Sequence, residues 1–151
     1  MKYRRNKGIG EPLAIQLAEF LQSLHWEIDL MVPVPLGKKR FRERGYNQVA
    51  LVAEPLAYAV ELEYAPWALW KARETRSQVG LNISQRQENV ENAYQADPKV
   101  VNRKSVLLMD DVATTGSTVS SCTNALLHAG ARDVYVLTIA RALSHHDLSR
   151  V

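Results

Sequence analysis

Val106-Leu107-Leu108-Met109-Asp110-Asp111-Val112-Ala113-Thr114-Thr115-Gly116-Ser117-Thr118 is the stretch on which the reading of this chain turns. Four apolar residues without polar alternation describe a strand buried on both faces. Two adjacent carboxylates, Asp110 and Asp111, follow at the strand's carboxyl end. A run of small and hydroxyl residues then leads into a helix face formed by Val119, Cys122, Leu126 and Ala129, which Gly130 stops. The first N–H groups of that helix have no partner within it. Ala113 to Thr118 therefore suits a phosphate: N–H groups point inward, hydroxyls add donors, Gly116 permits close approach and the helix dipole favours an anion. The dipole supplies only roughly 0.3–1 kcal/mol, so hydrogen bonds must carry most of the affinity. No lysine follows the glycine, which excludes the GxxxxGK[ST] nucleotide loop. A doubled acid beside a phosphate cradle fits a sugar phosphate, with carboxylates on the ribose hydroxyls and the loop on the 5′-phosphate. A plain turn with an N-cap serine leaves the doubled acid and the hydroxyl run unexplained.

Outward from this stretch, helical and strand patterns alternate. Leu13, Leu17, Phe20, Leu21 and Leu24 form one helix face, with Pro12 suited to its first turn. Ile28 to Pro35 reads as a buried strand cut short by Pro33 and Pro35. The basic run Lys38 to Arg44 comes next. Val49, Val52, Leu56 and Ala59 mark a second helix, with Pro55 expected to bend it. Tyr64 to Trp70 reads as a strand, with its aromatic residues in the core. Lys71 to Ile83 reads as a loop. Ser84 and Gln87 resemble a capping box for a short helix toward Val90, and Val134 to Ala140 reads as the last strand. The expected fold class is α/β, a twisted, mainly parallel sheet with helices on both faces and ligands at the strands' carboxyl ends.

The chain has 151 residues, 46% of them hydrophobic and 23% charged, which excludes disordered, collagen-like and disulfide-scaffold classes. One domain spanning residues 1–151 is expected, burying about 70% of its unfolded surface, with 144–151 a fraying tail. Cys122, the only cysteine, excludes an intramolecular disulfide and a cysteine-rich zinc site and suits the reducing cytoplasm. The N-terminus lacks the apolar run of a signal peptide, and no stretch reaches the ~20 apolar residues of a membrane span. A formal charge of +3 mildly favours an anionic partner.

Lys38 to Arg44 carries five cations and one acid, Glu43, a local net of +4. Diphosphate and a nucleic-acid backbone both suit such a run, and a solvated face is the bland alternative. Its place after a buried strand puts it on the same sheet rim as the acidic doublet. Arg73, Arg76 and Arg86, with Gln78 and Asn89, form a second cationic set. An arginine brought over a substrate from such a loop excludes water and stabilises leaving charge. Cys122 on an apolar face acts as a small hydrophobe. His145-His146-Asp147 lacks further candidate ligands and reads as solvated, and His25 as ordinary surface or packing.

The Val106–Thr118 stretch resembles the 5-phosphoribosyl-1-pyrophosphate (PRPP) motif of type I phosphoribosyltransferases. With VPVPLGKKRFRERGYNQ at Val32 to Gln48 and RETRSQVGLNISQRQENV at Arg73 to Val90, the chain resembles the ComF family of competence-associated phosphoribosyltransferase-like proteins. The resemblance implies a phosphoribosyltransferase that moves phosphoribose from PRPP to a nitrogen acceptor and releases pyrophosphate. In it, Asp110 and Asp111 hold the ribose hydroxyls and Ala113, Thr114, Thr115, Gly116, Ser117 and Thr118 bind the 5′-phosphate. Leu36, Gly37 and Lys38, with Arg40 and Arg44 nearby, take the pyrophosphate, and Arg73, Thr75 and Gln78 lie on the loop over the reacting centre. Mg²⁺ arrives mainly on PRPP oxygens, and no protein metal site is expected. ComF proteins commonly begin with a four-cysteine zinc ribbon, which this sequence lacks. Two further readings stand beside the enzyme: a non-catalytic PRPP-binding protein, and a factor that contacts single-stranded DNA or the DNA-uptake machinery through its basic loops.

Overall fold

The computed structural model describes residues 4–72, 93–113 and 116–141. In chain order the elements are α1 (Arg4–Leu24), β1 (Leu30–Pro33), α2 (Lys38–Arg44), α3 (Ala50–Ala59), β2 (Glu63–Tyr64), β3 (Leu69–Lys71), β4 (Tyr94–Ala96), α4 (Pro98–Val101), β5 (Ser105–Ala113), α5 (Ser117–His128) and β6 (Asp133–Arg141). Strands β2, β1, β5 and β6 form, in that order, a four-stranded parallel sheet, while β3 and β4 pair antiparallel as a separate ribbon. This is the α/β class that the alternating patterns call for.

The central strands are apolar throughout because both faces are covered. Leu30, Val32, Val106 and Leu108 face Cys122 and Leu126 of α5 and the β3–β4 ribbon. Met31, Leu107 and Met109 face the opposite way, onto α1 and α3 through Ala14, Ala18, Leu21, Val52 and Leu56. Leu30, Met31, Leu107, Leu108 and Met109 are completely buried.

Several sequence expectations are corrected. Helix α1 starts at Arg4, so Pro12 lies inside it rather than at its first turn; the proline forgoes only the bond to the carbonyl of Gly8. The buried face of α1 runs through Ala14, Ala18 and Leu21, flanked by Leu13, Leu17 and Leu24, and leaves Phe20 half exposed. In α3, Ala57 rather than Ala59 is buried. The basic run forms α2, whose side chains are all exposed.

Tyr64 to Trp70 is not one strand. The Ala65 N–H still donates to the Met31 carbonyl at 3.0 Å, but Pro66 cannot continue the ladder, and a turn closed by Ala68 N–H to Ala65 O separates β2 from β3. Trp67 and Trp70 are consequently exposed, at 71% and 41%, rather than in the core. Lys71 belongs to β3 rather than to a loop. The capping box at Ser84 and Gln87 and the helix toward Val90 lie outside the described residues, as do residues 144–151 with His145, His146 and Asp147.

The sheet's amino edge is tied by polar contacts. The Ser105 N–H donates to the Asp29 carboxylate at 2.8 Å, and Arg132 donates through Nη2 to Ser105 Oγ at 2.7 Å. The carboxyl edge is built differently.

Candidate functional site

From β1 the chain crosses by α2 and α3 to β2 on one side. From the neighbouring β5 it crosses by α5 to β6 on the other. The two crossovers leave in opposite directions and cover opposite faces, so a crevice opens beyond the carboxyl ends of β1 and β5. This is the switch point at which open α/β sheets bind their ligands. Strand β1 ends with Pro33 beside Met109, and the Val34 N–H closes the ladder on the Met109 carbonyl at 2.8 Å. Strand β5 continues to Ala113, paired beyond that point only with β6. The acidic doublet therefore stands on the part of β5 that has outgrown its β1 neighbour.

Asp110 and Asp111 lie within the strand, not after it, so they point to opposite faces. The expectation of two carboxylates side by side at the rim is corrected by this alternation. Asp110 shares the α5 side with Leu108 and is 7% exposed; Asp111, on the α1 and α3 side, is half-buried. One Asp110 oxygen accepts from the Asp111 N–H at 2.9 Å. Burial pushes the Asp110 carboxyl up to about 6; that N–H bond works against the rise and the Asp111 charge adds to it. A carboxylate held so close to neutral pH by its surroundings is characteristic of functional clefts.

At the far side of the crevice, Gly116 caps α5 with φ +77, a left-handed conformation that glycine adopts without strain. A Cβ built there meets no atom within 4 Å among the described residues, its chain neighbours aside. The Ser120 N–H is the first to find the Gly116 carbonyl, at 2.8 Å. The N–H groups of Ser117, Thr118 and Val119 precede that bond and have no intrahelical acceptor. Of the remaining phosphate-loop residues, Ala113 ends β5, and Thr114 and Thr115 lie outside the described residues.

Leu36 and Gly37 leave β1, and Lys38 and Arg40 stand on α2. Asn47 anchors this connection: its Nδ2 donates to the Val34 carbonyl at 2.9 Å, and its Oδ1 accepts from the Val49 N–H at 3.1 Å. Arg44 donates to Gln48 Oε1 at 2.7 Å. Arg73, Thr75 and Gln78 lie outside the described residues. The segment that contains them joins β3 to β4, whose last pair is Lys71 opposite Tyr94.

Two residues of the crevice carry no sequence motif. Tyr94, on β4, is nearly buried on the α5 side of the sheet, and its phenol responds to Asp110, Thr118 and Arg40. This brings the basic connection, the doublet and the head of α5 to one place. Lys71 shares the inner side of β3 with buried Leu69 and acts on the Cys122 thiol. Only the pairing of two short strands across a long sequence gap reveals them. Cys122 is completely buried, and burial, with the Asp110 charge, pushes its thiol up; it packs as the small hydrophobe expected. Among the described residues no group of three or more His, Cys, Asp or Glu side chains could hold a metal ion.

No protein-family model matches the chain. Among solved structures, glutamine PRPP amidotransferase from B. subtilis superposes with a TM-score of 0.59 at 23% identity, over 93% of this chain and 27% of that one. Adenine phosphoribosyltransferase from Thermoanaerobacter pseudethanolicus does so with a TM-score of 0.56 at 14% identity, over 86% and 67%. The fold is that of the type I phosphoribosyltransferases. In sequence, the chain is 36% identical over 148 residues to the DNA utilization protein YhgH of Salmonella typhimurium, covering 95% of this chain and 65% of that protein. It is 31% identical over 116 residues to competence protein F of Haemophilus influenzae, covering 76% and 51%. The chain is a homologue of these YhgH and competence proteins and spans about half the length of the curated relatives it matches.

Proposed function

We propose that the crevice between β1 and β5 binds PRPP and that the protein transfers its phosphoribosyl group to a nitrogen acceptor. The observation that carries this reading is the switch point itself, beside which stand the acidic doublet, the first turn of α5 and the basic connection after β1. In the proposed complex the N–H groups at the head of α5, with the Ser117 and Thr118 hydroxyls, hold the 5′-phosphate. Asp111 accepts from a ribose hydroxyl, and Asp110 borders the sugar from the α5 side, where a hydroxyl donor relieves the cost of its buried charge. Leu36, Gly37, Lys38 and Arg40 take the diphosphate, and the sequence resemblance adds Arg73, Thr75 and Gln78 to the proposed set.

The bond from C1′ to the diphosphate oxygen breaks, and its electron pair leaves on pyrophosphate. The acceptor nitrogen forms the new bond to C1′ and gives up its proton to solvent. C1′ becomes oxocarbenium-like on the way, and carboxylates on the ribose hydroxyls strengthen as that charge grows. Mg²⁺ would arrive with PRPP and would neutralise charge on the leaving group, with Asp111 the described carboxylate that could face it. Lys38 and Arg40 do the same from the protein side. The printed names of two relatives, DNA utilization protein YhgH and competence protein F, support a setting in DNA use and competence for the proposed activity. No helix among the described residues is long and apolar enough to cross a membrane, and the proposed location is the cytoplasm.

Calorimetric titration of the chain with PRPP and Mg²⁺ tests the pocket. Saturable binding that Asp111→Asn abolishes is expected, and a flat titration of the wild type overturns the proposal. Pyrophosphate release with a panel of nitrogen bases then separates a transferase from a non-catalytic PRPP-binding protein.

A second reading draws support from α2, which exposes five cations around Phe41, itself 51% exposed, and from the exposed Trp67 and Trp70. Basic side chains interleaved with aromatic ones suit single-stranded DNA. Affinity for an oligonucleotide that falls steeply with salt and drops on replacing Lys38, Lys39 and Arg40 by alanine would support direct contact; a flat salt response would exclude it.

A further inference from the structure

Strands β1 and β5 stop pairing one residue short of the acidic doublet, and side chains enforce the parting. The last matched pair is Pro33 with Met109, and the Val34 N–H still donates to the Met109 carbonyl at 2.8 Å. In a parallel ladder the next bond runs from the Asp111 N–H to the Val34 carbonyl. Here that bond is replaced by two others. The Asp111 N–H donates to Asp110 Oδ1 at 2.9 Å, and the Val34 carbonyl accepts from Asn47 Nδ2 at 2.9 Å. Asp110 and Asn47 thus take the two backbone groups that would have closed the sheet by one more step.

Asn47 also starts α3. Its Oδ1 accepts from the Val49 N–H at 3.1 Å and its carbonyl from the Ala50 N–H at 3.1 Å, an Asx turn at the head of the helix. Serine, threonine or aspartate would serve equally there, because a cap needs only an acceptor. The bond to Val34, 13 residues back, needs a donor as well. Among these capping residues only asparagine carries donor and acceptor on separate atoms, so one side chain joins the end of β1 to a helix whose Val52, Ala53, Leu56 and Ala57 are buried. Residues 35–46, between the two ends of this bond, carry α2. None of the α2 residues is buried, its N-cap makes no side-chain bond, and five of its seven residues are cations. A helix so short does not hold itself; its place beside the crevice depends on the base from which it springs.

We propose that Asn47 is a positioning residue for the diphosphate end of the crevice: by holding the Val34 carbonyl off β5 it keeps the two strands parted and sets where Leu36, Gly37, Lys38 and Arg40 stand. This rests on the PRPP reading and adds a residue that acts through others rather than on the substrate. Inorganic pyrophosphate probes the basic end of the crevice and ribose 5-phosphate the α5 end. Asn47→Ser keeps the cap of α3, adds no charge and is too short to reach Val34. It is expected to weaken pyrophosphate by about 3- to 10-fold, the worth of one hydrogen bond, with ribose 5-phosphate affinity unchanged. Added to a Lys38→Ala, Arg40→Ala variant it should cost nothing more, because the side chains through which it acts are gone. Amide hydrogen exchange over residues 38–44 should quicken in Asn47→Ser while that of β5 stays as in the wild type.

Wild-type pyrophosphate affinity in Asn47→Ser, equal weakening of both probes, an undiminished further loss in the triple variant, or unchanged exchange over residues 38–44 overturns the proposal. Should the serine variant fail to fold, Asn47→Asp, which keeps the shape and the cap, is judged by the same split between the probes. A wild type that does not bind pyrophosphate refutes the PRPP reading and this inference with it, whereas failure of the inference alone shows only in the variants.

Discussion

Asp110→Asn is expected to make this protein more stable and less functional at once, by an amount that depends on pH. Asp110 is 7% exposed and its carboxyl is raised from an ordinary 3.8 to about 6, first by burial. Each unit of such a difference corresponds to about 1.36 kcal/mol, so keeping the group ionised at pH 8 costs the folded state up to about 3 kcal/mol. Because the folded carboxyl binds its proton more tightly than the unfolded one, the wild type has its full stability from this group below about pH 4 and loses it as pH rises through about 6. Asparagine has the same shape, keeps the oxygen that accepts from the Asp111 N–H, and carries no charge.

With a urea slope of about 2 kcal/mol per molar, the variant's midpoint should exceed that of the wild type by up to about 1.5 M at pH 8. The gap should close between pH 6 and 4. The same variant should lose affinity for PRPP, as sites that hold strain for function do when relieved. A lower midpoint for Asp110→Asn at pH 8, or a gap that does not change with pH, would refute the view that this carboxylate is kept charged at the expense of the fold.

Three further outcomes follow from the packing. Cys122 should resist thiol reagents in the folded chain and react promptly in urea, since it is completely buried with its thiol raised; fast labelling without denaturant would contradict its placement. Gly130→Ala should cost about 1–3 kcal/mol, because φ is +98 and the new Cβ would come within 2.7 Å of Asn102 Oδ1; adding Asn102→Gly should recover only the steric part, read by urea unfolding. Leu108→Ala, at a fully buried position between β1 and α5, should cost about 2–5 kcal/mol in the same assay, and a loss below 1 kcal/mol would mean the core is not packed as described.

Legibility in the sequence followed the range of the interactions. Strand β5 and helix α5 were readable because an apolar run, a glycine cap and a 3.6-residue period are local. The Lys38 to Arg44 run was readable as charge but not as helix, since its side chains contact no core to impose a period. The two faces of the doublet were missed because nothing local says that β5 continues to Ala113; its partner there is β6, more than twenty residues on. Phe20, Trp67 and Trp70 were assigned inward on their apolar character alone, while Ala14 and Ala18 took the buried positions in α1.

From sequence alone came the α/β class, the parallel strands, the candidate residues for an anion and the family they resemble, because each rests on residue chemistry repeated at short spacing. Tertiary structure alone decided that β1 and β5 are neighbours whose crossovers diverge, that Asp110 is buried while Asp111 is half-buried, and that Tyr94 packs on the α5 side of the sheet. Each of these depends on which distant strands pair and in what register, and pairing is settled by burial over the whole sheet rather than by any stretch of the chain.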